Sequence, residues 1–448
     1  MEIQEKYRIN FQLNPEDLTA SIVESPKATG IVIIPRYFRY QKKNYTVTTI
    51  KSNAFYQNTI ESITFADNSE VTTFEEEAFE NSTIKKLQIP PKLNEIESRT
   101  FFLLKGLIEF DVSPKNHLFS YYNNELLIGK SQEDQNTFDI LYLGRSDLTK
   151  VTIPSSIRVI KRYAFGESPN LETIKFDSNS QIEYIEGWVL CENLKKFEIP
   201  KTLKSTERDA FQYAYSLVDI FVSIENEVFS WIDDMFLIRR DKEDGDKETI
   251  AFCRRNVTEV IIPKNIKEID AYAFLKCENL NSISFEKNSK LEVINESAFE
   301  KVNGLKDVVI PSSVRVVKKY AFCSMESLCS IQFLSEEIEI QSYCFCSSYE
   351  LHSISFPNAK KIIFNDSFED GTKIFMRKDA EISGVYVDEN RDHIEFIKEV
   401  PKTEKVADNE RQPLNHANNE KDENLRAEMT QSDSNQETKN DSRCCLLI

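Results

Sequence analysis

The residues able to do chemistry are few. Nine cysteines stand at 191, 253, 277, 323, 329, 344, 346, 444 and 445, an odd number without an obvious pairing framework, which points to a reducing compartment. Cys323, Cys329, Cys344 and Cys346 invite a zinc reading, but structural zinc is commonly held by C-x₂₋₄-C pairs. Here Cys344 fills a small-residue slot and Cys323 and Cys346 each follow a phenylalanine, so they read as packing positions. The four histidines, His117, His352, His393 and His416, form no H-E-x-x-H pair. The ten glycines make neither a phosphate loop nor a dinucleotide loop. Runs of carboxylates such as Glu75, Glu76 and Glu77 read as a solvated face. No catalytic residue, cofactor or metal is expected.

A different chemistry is written at the carboxyl end, Cys444-Cys445-Leu446-Leu447-Ile448. Cys445 with two aliphatic residues and a terminal residue looks like a prenylation box, in which the thiol becomes a thioether. The aliphatic last residue leans towards geranylgeranyl. One lipid holds a membrane weakly, so an acyl chain on Cys444 is the expected second anchor. These two residues predict attachment to the cytosolic face of the plasma membrane. The alternative is display at the cell surface without a conventional leader, since Met1 to Asn10 lacks an apolar stretch. The sequons at Asn44, Asn81 and Asn256 matter only for that alternative. Apolar runs such as Ile31 to Ile34 are far too short to span a bilayer.

The elements beneath are repeats. A small residue followed by Phe recurs as Ala54-Phe55, Ala78-Phe79, Thr100-Phe101, Ala164-Phe165, Ala210-Phe211, Ala273-Phe274, Ala298-Phe299, Ala321-Phe322, Cys344-Phe345 and Ser367-Phe368, with Trp188-Val189 as an imperfect copy. From Phe274 the steps are 25, 23, 23 and 23 residues, the signature of stacked units. Each pair precedes an apolar-x-x-apolar-x-apolar run, as in Leu171 to Phe176, Leu280 to Phe285 and Leu351 to Phe356. The last residues of these runs alternate like half-buried strands. Proline, which lacks a ladder donor, closes many of them, as at Pro90, Pro154, Pro200, Pro263 and Pro311. A slower period lies on top: Phe55, Phe165 and Phe274 are 110 and 109 apart. A block of several coils has therefore been duplicated.

Two interruptions, roughly 112–150 and 222–260, resemble each other. Leu118 to Tyr121 aligns with Val228 to Trp231, and Leu127-Ile128 with Leu237-Ile238. They read as β-hairpins projecting from, or packed onto, the coil edge. The predicted organisation is a cap over 1–50 of similar but cruder type, a solenoid over 51–375, a second cap over 376–400 and a tail over 401–448. Pro401 to Arg443 holds 7 basic and 10 acidic residues and no aromatic, a composition expected to be disordered.

The unit Ile-Pro-x-x-apolar, then Ala-Phe, then Leu-x-x-Ile resembles the BspA-like class of leucine-rich repeats, most fully at Ala273-Phe274-Leu-Lys-Cys277-Glu-Asn-Leu280. The resemblance covers roughly residues 30 to 375. It implies an α/β repeat solenoid: a curved leucine-rich-repeat array with a parallel sheet, short helical or 3₁₀ corners and inserted hairpins. It also implies surface display, adhesion and protein recognition, with no catalytic residues to carry over.

The 448 residues carry 56 basic against 74 acidic side chains, a net charge of −18. Phosphate backbones are gripped by clustered Lys and Arg, so nucleic acid is not an expected partner. The expected function is a non-enzymatic protein-binding scaffold, tethered by its lipidated tail. Its binding residues would be outward positions on the strands, for example Lys175, Lys196, Asp219, Asp307 and Gln332.

Overall fold

The computed structural model describes residues 8–187, 189, 191–241, 247–365, 371–384 and 393–397. Cys444, Cys445 and the rest of the tail, Trp188 and the Ser367-Phe368 pair lie outside the described residues. Each coil supplies two strands because its apolar residues alternate at two places. The longer strands stack in parallel: Thr29–Ile34, Thr59–Phe65, Lys86–Ile89 and Glu109–Val112 in the first block, and Lys150–Ile153, Thr173–Phe176, Lys196–Ile199 and Asp219–Val222 in the second. In the third block Glu259–Ile262 pairs Ser282–Phe285, and Asp307–Ile310 begins a further parallel sheet reaching Ile394–Ile397. A second series of strands, mostly two residues long, such as Val159–Ile160, Tyr184–Ile185 and Ser205–Thr206, stacks along another side.

The corners are where the structure departs from expectation. Among the described residues there is no α-helix, so the α/β class and the helical or 3₁₀ corners are corrected to turns. The backbone shows why. Phe274 N–H donates to Ala298 O of the next coil (2.8 Å), Phe299 to Ala321 (2.8 Å) and Phe322 to Cys344 (2.9 Å). Two residues on, Lys276 N–H reaches Glu300 O (3.0 Å) and Ser324 N–H reaches Cys346 O (2.7 Å). In a helix these donors would turn back four residues along the same chain. Left-handed residues at Tyr272 and Lys276 (φ 62° and 57°), and at Tyr320 and Ser324 (59° and 55°), complete the break, since right-handed helix excludes them. The corner is thus a third ladder between coils.

A ladder of this kind brings equivalent residues within about 5 Å, which favours a small side chain beside the backbone: alanine at most rungs, with Thr100 and Cys344 also buried in the slot. Ala54, Ala78, Ala164, Ala298 and Ala321 are fully buried. The adjoining rings stack inside: Phe274–Phe299 at 4.7 Å, Phe299–Phe322 at 5.2 Å and Phe322–Phe345 at 5.9 Å.

The hairpins are also reassigned. Phe119–Tyr122, Leu126–Gly129 and Ile140–Gly144 form an antiparallel meander whose last strand pairs in parallel with Val159–Ile160. Phe229–Ile232, Phe236–Asp241 and Lys247–Cys253 repeat this ahead of Ile266–Ile269. Neither projects. Leu127 and Leu143 pack into the first block's core while Leu126, Ile128 and Leu141 pack into the second. Leu237, Ala251 and Phe252 face the second core, and Phe236, Ile238, Ile250 and Cys253 the third. Each meander is a wall between blocks, buried on both faces. Unbroken apolar runs such as Leu126-Leu127-Ile128 are the sequence mark of that environment.

Because Phe299 touches rings on both sides, Phe299→Ala is expected to cost about 3–5 kcal/mol and Phe299→Leu about 1–2 kcal/mol. The urea-unfolding midpoints of the two variants check this; equal midpoints would show that the ring column does not hold the coils.

Candidate functional site

The expected binding residues sit on the longer strands. In Thr173–Phe176, Lys196–Ile199 and Ser330–Phe333 buried residues alternate with half-exposed ones, and Lys175, Lys196 and Gln332 take the outward positions. Asp219 and Asp307 are likewise outward on their strands. The phase follows from the inward Ile and Phe side chains, which must reach the core.

The five residues do not form one cluster. Lys175, Lys196 and Asp219 share the sheet of the second block; Asp307 and Gln332 belong to the last sheet of the third. Lys196 lies directly opposite Asp219, with Nζ 3.9 Å from the carboxylate. A pair this exposed contributes about 0–1 kcal/mol, so a partner could displace it at little cost. Asp307 accepts a 2.5 Å hydrogen bond from Ser330 Oγ on the next rung. Gln332 is flanked in register by Val309 and Ser355. The second block presents Lys150, Lys175 and Lys196 with Glu198 and Asp219. The third presents mainly hydroxyls: Ser282, Ser284, Ser330, Ser353 and Ser355.

A feature not anticipated from sequence is a polar column immediately after the short strands. Glu75 pairs with Lys51 (2.7 Å) and accepts the Ser52 N–H (3.1 Å); Glu186 does the same for Lys161 (2.7 Å) and the Arg162 N–H (2.9 Å). These carboxylates tie one corner to the next. In the third block the column begins with Asp270, which is fully buried, 2.7 Å from Arg239 of the wall. Arg208 reaches across from the second block towards Glu268 (3.4 Å) and Asp270 (3.8 Å), and donates to Asn295 Oδ1 (2.9 Å). Burial pushes the Asp270 carboxyl up to about 6 against the pull of Arg239 and Arg208. A polar residue directly after each apolar pair, with a base and an acid on successive coils at Lys51 and Glu75 and at Lys161 and Glu186, was the available signal.

The cysteines pair by rungs. Cys323 and Cys346, 23 residues apart, are joined by a disulfide with Cα atoms 4.8 Å apart, correcting the expectation of unpaired thiols. Cys344 is buried in the corner slot, as its position implied, and Cys329 is half-buried. Cys253 and Cys277 face each other inside the core. Burial raises the Cys253 thiol; at Cys277 burial is outweighed by Cys253 and the Arg255 guanidinium, which lower it to about 7.

The model of the BspA type leucine rich repeat region matches six copies, over residues 38–125, 141–236 and 248–374. The chain belongs to the BspA-type leucine-rich-repeat family. The two breaks in the family match fall within the walls between blocks. A comparison with curated proteins gives no match. Solved structures that are similar include the pneumococcal vaccine antigen PcpA, at 17% identity and TM-score 0.48, covering 87% of this chain and 95% of that one. A leucine rich cell surface protein from Faecalibacterium prausnitzii gives 20% identity and TM-score 0.48, covering 86% and 95%. A leucine-rich repeat protein from Eubacterium ventriosum gives 17% and 0.36, covering 76% and 92%.

For this family member Asp270 supplies a pH test. Its carboxyl titrates higher folded (about 6) than its ordinary value of 3.8, so its contribution is fully present below about pH 4 and is lost as pH rises through 6. The stability of the wild type relative to Asp270→Asn is expected to fall by roughly 2–3 kcal/mol between pH 4 and 7.5. Urea unfolding of both proteins across that range measures it; a constant difference would show that burial does not perturb this group.

Proposed function

We propose that this protein is a non-enzymatic recognition scaffold displayed at a cell surface, binding protein partners through the outward faces of its longer strands. The observation that carries the reading is the parallel stack itself. The inward positions are committed to the core, and the outward positions on these strands are mostly polar or charged, with Ile31, Ile33 and Val309 as exposed apolar exceptions. Lys175, Lys196 and Asp219 on the second block's sheet and Asp307 and Gln332 on the last sheet are the proposed contacts, each group held at rung spacing. Repeat architectures offer such extended surfaces to proteins. Surface display is supported by the Cys323–Cys346 bond, because disulfides persist in oxidising surroundings and are rare in the cytosol.

A second reading rests on Cys445-Leu446-Leu447-Ile448: a scaffold held on the cytosolic side of the plasma membrane by a prenyl group on Cys445 and an acyl group on Cys444. The two readings separate cleanly. Surface display expects Cys323 and Cys346 to be bonded when intact cells are alkylated before lysis, and external protease to digest the solenoid. Cytosolic anchoring expects both thiols to be alkylated, protection from protease, and loss of membrane partitioning in Cys445→Ser.

Under either reading, reversing Asp219 and Asp307 together to lysine is expected to lower recovery of cross-linked protein partners from native cells about tenfold, equivalent to about 1.4 kcal/mol. Unchanged recovery would count against the strand faces as the contact surface.

A further inference from the structure

Walls interrupt the parallel stack of longer strands at two places, after Glu109–Val112 and after Asp219–Val222. Each interruption leaves a strand edge whose outward backbone carbonyls have lost the next rung. The two edges are copies 110 residues apart, yet they are finished differently. At the second, Trp231 Nε1–H donates to Ile220 O (3.0 Å), and Arg254 donates to Val218 O while lying 4.6 Å over the Trp231 ring. Arg254 is anchored there by Asp234 (2.7 Å). An indole and a guanidinium thus plug the slot.

At the first interruption the same positions carry Tyr121 and Arg145, but Arg145 is drawn away. It pairs with Asp147, where the other copy has Asn256, and donates to Asn124 O (3.0 Å); the Tyr121 hydroxyl donates to Asn124 O as well (2.6 Å). Among the described residues no side chain donates to the carbonyls of Ile108 or Phe110, which correspond to those of Val218 and Ile220. Beside this edge lies a groove of about 890 Å³, with Ser120, Asn124 and Arg145 on one side and, on the strand side, Glu109, ion-paired with Lys86 (2.6 Å), and Asp111, which accepts from the neutral Gln88 amide (3.0 Å) and so keeps its charge for a peptide cation.

We propose that this groove binds an extended peptide strand bearing basic side chains. The peptide adds a rung to Glu109–Val112: its backbone N–H groups meet the Ile108 and Phe110 carbonyls, and its alternate Lys or Arg side chains meet Asp111 and Glu109 on the outward face. Strand addition to an open edge draws affinity from main-chain hydrogen bonds and specificity from alternate side chains. The plugged copy shows the chemistry that satisfies such an edge: N–H donors at two carbonyls two residues apart, with a cation alongside. The groove stands apart from the strand faces of the second and third blocks, so its failure leaves that reading untouched.

The test uses the full chain and a fluorescein-labelled, acetylated (Val-Lys)₄ peptide, read by anisotropy. Saturable binding is expected. It is expected to weaken about tenfold or more when alternate backbone nitrogens are methylated, because charge is kept and donors are lost. A similar loss is expected for Tyr121→Trp with Asn124→Asp and Asp147→Asn, which rebuilds the plug, and for Asp111→Asn, which removes a charge without altering the edge. No saturable binding, equal affinity for the methylated peptide, or undiminished binding by both the plugged and Asp111→Asn proteins would each overturn the proposal. The last two results would mean attraction to the acidic surface alone.

Discussion

One hydrogen bond governs this molecule: a corner phenylalanine N–H given not to its own coil but to the small residue of the next, as from Phe55 to Ala78, Phe274 to Ala298 and Phe299 to Ala321. A single coil can neither satisfy that donor nor bury its ring, so a coil exists only as part of a stack. The bond brings corners close enough to favour a small residue at one position and to stack phenylalanines at the next. It also excludes helix, because the donors a helix needs are already spent between coils. The two ladders of strands then follow from the alternation on either side of the corner.

Stacking raises a problem wherever one block ends and another begins, and the walls answer it. A meander with apolar residues on both faces serves two cores at once, Leu126 and Leu127 pointing into different blocks from adjacent positions. Arg208 adds a polar tie across the second boundary, reaching the buried Asp270 and Asn295 of the following block. The cost is local: the longer sheet loses its continuity at each wall, and the exposed edge has to be finished some other way. Trp231 and Arg254 finish one, while at the other Tyr121 packs edge-on against Phe110 with its hydroxyl donating to Asn124 O, and Arg145 turns aside to Asp147. Duplication supplied two equivalent edges, and they differ at three positions: Trp231, Asp234 and Asn256 at one stand as Tyr121, Asn124 and Asp147 at the other, where the guanidinium pairs with Asp147 instead of reaching the strand edge.

The residues open to a partner are therefore those that stacking does not use. On the longer strands these are every second side chain, basic and acidic in the second block and mainly hydroxyl in the third. The residues that recur from coil to coil, such as Ala298-Phe299 and Ala321-Phe322, occupy the inward and corner positions. Nothing in the pattern dictates whether an outward position holds Lys175, Asp307 or Gln332, which is why the surface rather than the repeat distinguishes one scaffold from another.

The period, the strand phase and the duplicated blocks were legible in the sequence, because each depends on local spacing: an apolar residue two places on returns to the same face, and a coil of about 23 residues returns to the same corner. The outward placement of Lys175, Lys196, Asp219, Asp307 and Gln332 follows from that rule. Other features depended on residues distant in sequence. Corner conformation was decided by where donors find acceptors, and those acceptors lie in the next coil. The walls were decided by burial on both faces, which alternation within one strand cannot reveal, although the unbroken run Leu126 to Ile128 hinted at it. The Cys323–Cys346 bond, the burial of Asp270 and the two finishes of the sheet edge arose only when rungs came into register. A sequence period sets which residues recur, but contact across the stack decides what each of them meets.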